Sequence, residues 1–450
     1  MANSLTAIIL AAGEGTRMNS KLPKVLHAVA GEPMIDYALQ NAEALKPQKI
    51  YVVVGAKSDE VIRYVGKRAV SVIQKERLGT GHAVQQVMPF LKSLKGNVVI
   101  LYGDACLTRS QTILALRQFH SVQDGEAALL SAQVENPFGY GRVIRDADGT
   151  VERIVEEKDA SEDERAVDEV NAGLYIFKAN RLVEALKKLK ANNAKKEYYL
   201  TDTIHYLLNQ GGKVHALMVS DASEVLGVND RNQLAQAHRV LNLRRIEEHQ
   251  REGVTFLNPE TVEIGAEVAI GQDVIIEGNV YLSGKTVIGE GSRIQSGSRL
   301  LSARLGKGVV VRSSRITESQ LGDGSDAGPN AHIRGGSVLD KHVHVGTNAE
   351  LKNAHIATGS KVGHFSYVGD AQLGKDVNVG AGCVFANYDG KNKHQTKVGD
   401  KVFLGSNSTL VAPVVIGKGA VVGAGAVVTK NVAPAVTVVG VPAQVFRKKK

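Results

Sequence analysis

From Ile264 onward an aliphatic side chain returns at every sixth position: Ile264, Ile270, Ile276, Leu282, Ile288, Ile294 and Leu300. The beat slips and resumes at Ile333, Leu339, Val345 and Leu351, at Val362 and Val368, and from Val398 through Leu404, Leu410, Ile416 and Val422 to Val428. Small and polar residues fill the gaps, with glycine beside many of the aliphatic ones. A period of six fits neither a helix nor an open strand. It predicts a parallel β-helix, in which each hexad is a short strand plus a turn and three hexads close one triangular coil. One side chain per hexad then faces the axis, while glycine and asparagine serve the corners. About 28 hexads give roughly nine or ten coils. The pattern breaks most over residues 385–397, where Ala386-Asn387-Tyr388-Asp389-Gly390-Lys391 predicts a polar loop.

The first half is patterned differently. Residues 5–12 are a short apolar run that reads as a buried parallel strand, and similar runs recur at 50–54, 70–73, 98–101, 127–134 and 174–177. Helical patterns lie between the earlier ones, so a mainly parallel sheet in an α/β domain is expected. Residues 230–252, rich in Arg, Glu, Leu and Gln and followed by Gly253, predict a long helix joining sheet domain and column. Its Arg244, Arg245, Glu247 and Glu248 suit a solvated face.

Composition narrows the function classes. No run approaches the ~18 apolar residues of a membrane span, and Cys106 and Cys383 stand apart with no metal-binding spacing. These features favour a reducing, cytoplasmic setting and no membrane partner. Net charge is +9 but uneven: residues 351–450 hold 13 Lys and Arg against 4 Asp and Glu, whereas residues 1–250 hold 32 against 30. The basic end, sharpened by Arg447-Lys448-Lys449-Lys450, suits an anionic partner. Without interleaved aromatics or a recognisable motif, nucleic acid is not expected.

Candidate chemistry begins where the first run meets Gly13-Glu14-Gly15-Thr16-Arg17-Met18. A glycine loop after a first strand is the usual seat of a nucleotide phosphate, because free backbone N–H groups face the ligand there. The loop is neither G-x-G-x-x-G nor a P-loop, but Arg17 and Lys24 add two cations close downstream. Gln74 and the glycine loop Leu78-Gly79-Thr80-Gly81-His82 precede another helical stretch. Tyr102-Gly103-Asp104 sets a carboxylate at the C-terminal end of a strand, the edge where open α/β sheets bind ligands. Asp104 is thus the first candidate metal ligand.

Here the residues reach a family. Leu10-Ala11-Ala12-Gly13-Glu14-Gly15-Thr16-Arg17-Met18, followed by Leu22-Pro23-Lys24-Val25-Leu26-His27, resembles the sugar-phosphate nucleotidyltransferases. Joined to a hexapeptide column, the chain resembles, over nearly its whole length, the bifunctional N-acetylglucosamine-1-phosphate uridylyltransferase and glucosamine-1-phosphate acetyltransferase family. The resemblance implies an α/β, Rossmann-like nucleotidyltransferase sheet domain over residues 1–229, a linker helix over 230–252, and a left-handed parallel β-helix over 253–450. It implies UTP, acetyl-CoA, glucosamine 1-phosphate and N-acetylglucosamine 1-phosphate as substrates, Mg2+ as cofactor, UDP-N-acetylglucosamine as product, and a homotrimer.

Carried over residue by residue, Leu10, Ala11, Ala12, Gly13, Gln74, Gly79 and Thr80 would hold the uridine side. Arg17 and Lys24 would face the phosphates as catalytic cations. Tyr102, Gly103, Gly141, Glu156 and Asn171 would complete the nucleotide and sugar-phosphate site, and Asn229 would join Asp104 on the metal. In the column, His364 would be the general base. Arg334, Lys352, Tyr367 and Asn378 would hold the sugar phosphate, with Glu350 orienting the amine or His364. Ala381, Asn387, Tyr388, Ser406 and Ala424 would line the acetyl-CoA path.

Three positions depart from the family pattern. Cys106 replaces a usual proline, Gly335-Gly336 follows Arg334 where Pro-Gly is common, and Gly440-Val441-Pro442-Ala443 replaces a segment that carries an arginine for coenzyme A. A single-activity nucleotidyltransferase with a structural column would have no need of His364, Lys352 and Asn387. A regulatory subunit would be expected to lose Arg17, Lys24 or Asp104.

Overall fold

The computed structural model describes residues 4–91, 95–194 and 196–446. Arg447 to Lys450, the basic end noted above, lie outside the described residues. The chain divides into two compact units, one ending at Leu241 and the other beginning at Asn242.

The first unit is built on a nine-stranded sheet. Its strands are β1 (Leu5–Ala11), β2 (Lys49–Gly55), β3 (Val70–Gln74), β4 (Asn97–Tyr102), β5 (Ala127–Gln133), β6 (Arg142–Arg145), β7 (Val151–Val155), β8 (Glu169–Lys178) and β9 (Val214–Val219). The main path runs β9-β5-β8-β4-β1-β2-β3, and the hairpin β6–β7 branches off β8. Every residue of β1 is buried, because the strand is flanked by β2 and β4, both parallel to it. Strand β8 runs antiparallel to β4 and β5. Apolar clusters pack on both faces of the sheet. Each fully buried Leu, Ile or Val contributes about 1.5–3 kcal/mol there. The apolar runs of the sequence thus become β1 to β5 and the end of β8, while β6, β7 and β9, which alternate or mix polar residues, go unforeseen.

The second unit is the six-residue beat made solid. Its outer ladder runs through eleven rungs in parallel, from Thr255–Phe256 to Thr437–Val439, with Gln444–Val445 added antiparallel at the end. In register along that ladder Ile276, Ile294, Val311, Ala327, Val345, Val362, Val379, Leu404 and Val422 stack one above another. All are buried, and every aliphatic position of the predicted beat lies in the same core. The slips have a simple cause. Leu300 and Leu305, Ile316 and Leu321, Leu351 and Ile356, and Val368 and Leu373 are interior neighbours five residues apart, so one side of those coils is a residue shorter. The ladder also begins and ends outside the beat, at Phe256 and Val438.

The helix Arg231–Arg251 spans the division between the units. Its Ala237 packs with Val29, Met34, Cys106 and Leu107 in the first unit's core. In the second, Asn242 donates to Val262 O at 2.6 Å and accepts from Ile264 N–H at 2.9 Å, while Ile246 enters the column core. Those bonds satisfy backbone groups that a first coil would otherwise leave open. Glu247 and Glu248 are exposed on this helix. No helix among the described residues is long and apolar enough to cross a membrane.

Candidate functional site

Two polar clusters emerge, one in each unit. The first lies at the C-terminal ends of β1, β3 and β4 and forms a cavity of about 260 Å³. Leu10 to Gly13 make one wall, Gln74, Gly79 and Thr80 another, and Lys24, Tyr102 and Asp104 the end. Gly103 N–H donates to Leu10 O at 2.9 Å, which ties the two strand ends together. Gln74 Nε2 donates to Gly79 O at 3.1 Å and also meets His82 Nδ1 at 3.1 Å. The Gln74 amide therefore braces the glycine loop.

Asp104 and Asn229 come from distant parts of the unit's sequence, one from its middle and the other from near its end. Val228 N–H donates to Asp104 O at 3.4 Å, which brings Asn229 beside the strand end. Asn229 N–H is held in turn by Gln233 Oε1 at 2.7 Å. The Lys24 ammonium forms an ion pair with Asp104 and donates to Asn229 Oδ1 at 3.0 Å. A carboxylate oxygen and an amide oxygen thus converge on one positive charge.

Tyr102 is half-buried beside Thr80, Glu156 and Asp104. Burial pushes its phenol well above the usual value, the Glu156 and Asp104 charges push further, and the Thr80 hydrogen bond opposes them. It is a neutral hydrogen-bonding group throughout the physiological range. Glu156 lines a neighbouring cavity of about 590 Å³, where Thr201 Oγ1 donates to it at 3.1 Å. Asn171 N–H donates to Gly141 O at 2.9 Å, and its side chain donates to Tyr175 OH at 2.6 Å. Gly141, Glu156 and Asn171 therefore lie off the wall of the smaller cavity. Arg17, on the single helical turn Thr16–Met18, is exposed and also lies outside that wall.

Sequence reasoning missed the two charged residues Arg77 and Glu197 of this cavity, along with the apolar Val25 and Ala83. Arg77 Nε donates to Ala12 O at 3.0 Å and its guanidinium pairs with Glu14, so it clasps the glycine loop. A basic residue three beyond Gln74, past the end of β3, was the available signal.

The second cluster surrounds one corner of the column. Outward positions His344, Lys361, Asn378, Phe403 and Val421 stack in register. Three residues beyond each stand Thr347, His364, Ala381, Ser406 and Ala424. They share that corner in successive coils. Backbone bonds join the corner coil by coil: Phe365 N–H to Thr347 O, Gly382 N–H to His364 O, Asn407 N–H to Ala381 O and Gly425 N–H to Ser406 O, all at 2.8–3.0 Å. The predicted acetyl-CoA residues Ala381, Ser406 and Ala424 therefore form a straight line with His364 at its foot. His364 is exposed, and its Nδ1 accepts from Thr347 N–H at 3.0 Å.

Around the corner, Arg334 and Lys352 are in register on one face, with Tyr367 beside Glu350. The Glu350 carboxylate accepts from Arg334 Nε at 2.8 Å and Nη2 at 2.6 Å. The orienting role considered for Glu350 thus meets a guanidinium rather than His364. Asn378 lies on the adjacent face, across the corner. The interrupting loop is a compact turn: Asp389 accepts from Lys391 N–H at 2.8 Å and Asn392 N–H at 2.7 Å, and pairs with His394 at 2.7 Å. Those bonds hold its carboxyl well below the usual carboxylate range. Asn387 is buried and donates to Asp370, while Tyr388 is 60% exposed.

Lys393, on the same loop, is a third charged residue the sequence reading missed. It crowds Lys352, and the two ammonium groups, with Arg334 adding to them, hold Lys352 below the ordinary lysine value. Three cations stand here against two carboxylates, Glu350 on Arg334 and Asp370 near Lys352, and the positive excess suits an anion. Nothing in the sequence marks Lys393, because the loop folds back to bring it there.

Comparisons with known proteins agree with both halves. A nucleotidyl transferase family model matches residues 6–226, and a model of the hexapeptide repeat of succinyl-transferase matches residues 395–430. The bifunctional protein GlmU of Streptococcus uberis is 46% identical over 442 residues, covering 98% of this chain and 96% of that protein. The GlmU protein of Enterococcus faecalis is 48% identical over 410 residues, covering 91% and 90%. That of Streptococcus pyogenes serotype M3 is 48% identical over 442 residues, covering 98% and 96%. With such identity along nearly the full length of both partners, spanning sheet unit and column alike, the chain belongs to the family of bifunctional GlmU proteins.

Proposed function

We propose that the chain is a bifunctional, cytoplasmic enzyme that makes UDP-N-acetylglucosamine. The column transfers an acetyl group from acetyl-CoA to glucosamine 1-phosphate. The sheet unit then transfers a uridylyl group from UTP to the resulting N-acetylglucosamine 1-phosphate and releases pyrophosphate. The observation that carries this reading is the presence of two unlike sites in one chain: a cation-bearing cavity at strand ends, and an exposed histidine on a column corner that continues through Ala381, Ser406 and Ala424. Membership in a family whose proteins are named bifunctional supports it.

In the sheet unit, the attacking phosphate oxygen is already anionic, so no general base is needed. The chain's part is alignment and charge neutralisation at the α-phosphorus. Lys24 stands at the cavity end and Arg17 on the neighbouring loop, where each can meet phosphate oxygens. Leu10 to Gly13 and Gln74 border the nucleoside, and the neutral Tyr102 separates it from the sugar side at Gly141, Glu156 and Asn171. Asp104 and Asn229 fit Mg2+, which takes few protein oxygens and keeps water and phosphate ligands. Among the described residues no group of three or more His, Cys, Asp or Glu could hold a metal, so a two-oxygen site completed by substrate suits this chain. When bound, the ion spreads the charge developing on the phosphates.

In the column, the amine nitrogen attacks the thioester carbonyl, the C–S bond breaks, and coenzyme A leaves as its thiol. His364 accepts the proton the amine loses. While Nδ1 is engaged by Thr347 N–H, the neutral ring carries its proton on Nε2. Proton uptake therefore requires the ring to release Thr347 or to turn about Cβ–Cγ. Arg334, Lys352 and Lys393 receive the sugar phosphate with Tyr367, and Ala381, Ser406 and Ala424 guide the acetyl-CoA arm past Asn387 and Tyr388. Val441 is 72% exposed and supplies no cation for the coenzyme A phosphates, so the basic residues of the C-terminal hundred serve that end. A convex corner cannot enclose a ligand alone. Asn378 and Tyr367 lie on faces that diverge from it, and a second copy supplies the missing wall in a homotrimer.

The test is a paired assay on the purified protein. Thiol release from acetyl-CoA with glucosamine 1-phosphate should be lost in His364→Ala alone, and pyrophosphate release from UTP with N-acetylglucosamine 1-phosphate and Mg2+ in Asp104→Ala alone. Pyrophosphate without thiol release would leave a single-activity nucleotidyltransferase on a structural column.

A further inference from the structure

We infer that in the free protein the Lys24 ammonium occupies the place of the divalent cation, so that metal binds well only after a nucleotide has drawn Lys24 away. This rests on the proposed role of Asp104 and Asn229 as metal ligands. The ammonium contacts the Asp104 carboxylate and Asn229 Oδ1 together, the latter at 3.0 Å, and the Lys24 and Asp104 side chains are only 11% and 19% exposed.

The stem of Lys24 is built to stay there. Gly15 has φ +63° and lies so close that an added Cβ would come within 2.6 Å of Lys24 Cβ. The lysine backbone sits on the short turn Lys24–Leu26 behind Pro23. What remains free to move is the ammonium end, which has three donors and no acceptor. Mg2+ would draw on these same two oxygens, and Nζ already lies against both. Two cations cannot share them without strong repulsion in a partly buried site.

A triphosphate resolves the competition. It offers Lys24 a second anionic partner in the same cavity, and the vacated oxygens then accept the metal. Arg77 cannot play that part from its present position, because its guanidinium is engaged by Ala12 O and Glu14. Nucleotide and metal are therefore coupled: each raises the affinity of the other, by the same factor in both directions. The free enzyme meanwhile keeps its cavity end charge-neutralised, without a bound ion.

Mn2+ is the probe, followed by electron paramagnetic resonance of the unbound ion with full-length protein. Without nucleotide, Lys24→Met and Lys24→Gln should each bind Mn2+ about tenfold more tightly than the unsubstituted protein, or better, since a competing charge has been removed from both oxygens. Adding Asp104→Asn to Lys24→Met should abolish that gain. Thermal melting checks that each variant is folded. If both single variants are folded and bind Mn2+ no more tightly than the parent, the inference is overturned. A separate arm examines the ligand assignment: with UTP at fixed concentration, Asp104→Asn should weaken Mn2+ binding. If that arm succeeds and the first fails, the metal site stands and Lys24 does not guard it. If Asp104→Asn changes nothing with UTP present, the metal assignment itself is wrong and the inference falls with it.

Discussion

Thr347 and His364 occupy the same corner in consecutive coils, and Thr347 N–H donates to His364 Nδ1 at 3.0 Å. The backbone of one coil thereby chooses the tautomer of the next. In the free enzyme the neutral imidazole should be the Nε2–H form, which nitrogen-15 correlation spectra of labelled protein distinguish from the Nδ1–H form. Addition of glucosamine 1-phosphate and acetyl-CoA should change the pattern as the ring is freed to accept the amine proton. A free enzyme already in the Nδ1–H form would rule out the observed hydrogen bond as the resting state.

The crowded cations give a second expectation. Lys352 is held below the ordinary lysine value chiefly by Lys393, with Arg334 adding. A phosphate prefers the charged ammonium, so its binding should raise the Lys352 value and take up a proton at alkaline pH. The sign follows: affinity is full below the depressed value and falls as pH rises through it. In Lys393→Ala the limb attributable to Lys352 should move to higher pH even as binding weakens overall. KM for glucosamine 1-phosphate across an alkaline series reads both effects, and an unmoved Lys352 limb would contradict the proximity.

The sequence declared the column because its signal is local and repeated: each interior Ile, Leu or Val marks its own coil. Where a coil side drops to five residues, as from Leu300 to Leu305, the six-residue beat breaks although the core runs on. The sheet was legible through β1, β2 and β4, whose two-sided burial demands unbroken apolar runs. Strand β9, Val214–Val219, carries His215 and was not. Among functional groups, the glycine loop and the strand-end Asp104 are placed by their own elements. Arg77 and Lys393 are placed by loops that fold back, and the contacts of Lys24 join residues 205 positions apart. No short-range pattern records such a contact.

Close stacking at the His364 corner predicts a third result. A Cβ added at Gly380 would lie 2.6 Å from Ser406 N and 2.8 Å from Leu404 O, both backbone atoms of the next coil. Gly380→Ala must therefore lift that coil, at a cost of about 1–3 kcal/mol typical of overpacking. The line from Ala381 to Ser406 is displaced with it. We expect a lower melting temperature and a higher KM for acetyl-CoA, with uridylyl transfer unchanged. Equal loss of both activities would mean general unfolding rather than a bent corner.

Arg231 extends the argument to the other site. Its Nε donates to Met18 O at 3.1 Å, so the start of the long helix holds the carbonyl next to Arg17. Two residues earlier the same segment presents Asn229 to Lys24. One short stretch thus positions both the loop that carries a phosphate-facing cation and an oxygen proposed for the metal. Arg231→Met removes the tether without touching a proposed substrate contact. Misplacement of a catalytic group by about 1 Å can cost around a hundredfold, so uridylyl transfer should fall between about tenfold and that limit. The loss should appear in kcat and in KM for UTP together, because loop and metal oxygen shift as one. Acetyl transfer by the same protein should stay at its normal rate, an internal control for folding. Arg231→Lys should recover part of the lost activity, since an ammonium can still donate to Met18 O. A variant with unaltered kcat and KM would show that the loop keeps its shape without the guanidinium, and that Arg17 is positioned by the glycine turn alone.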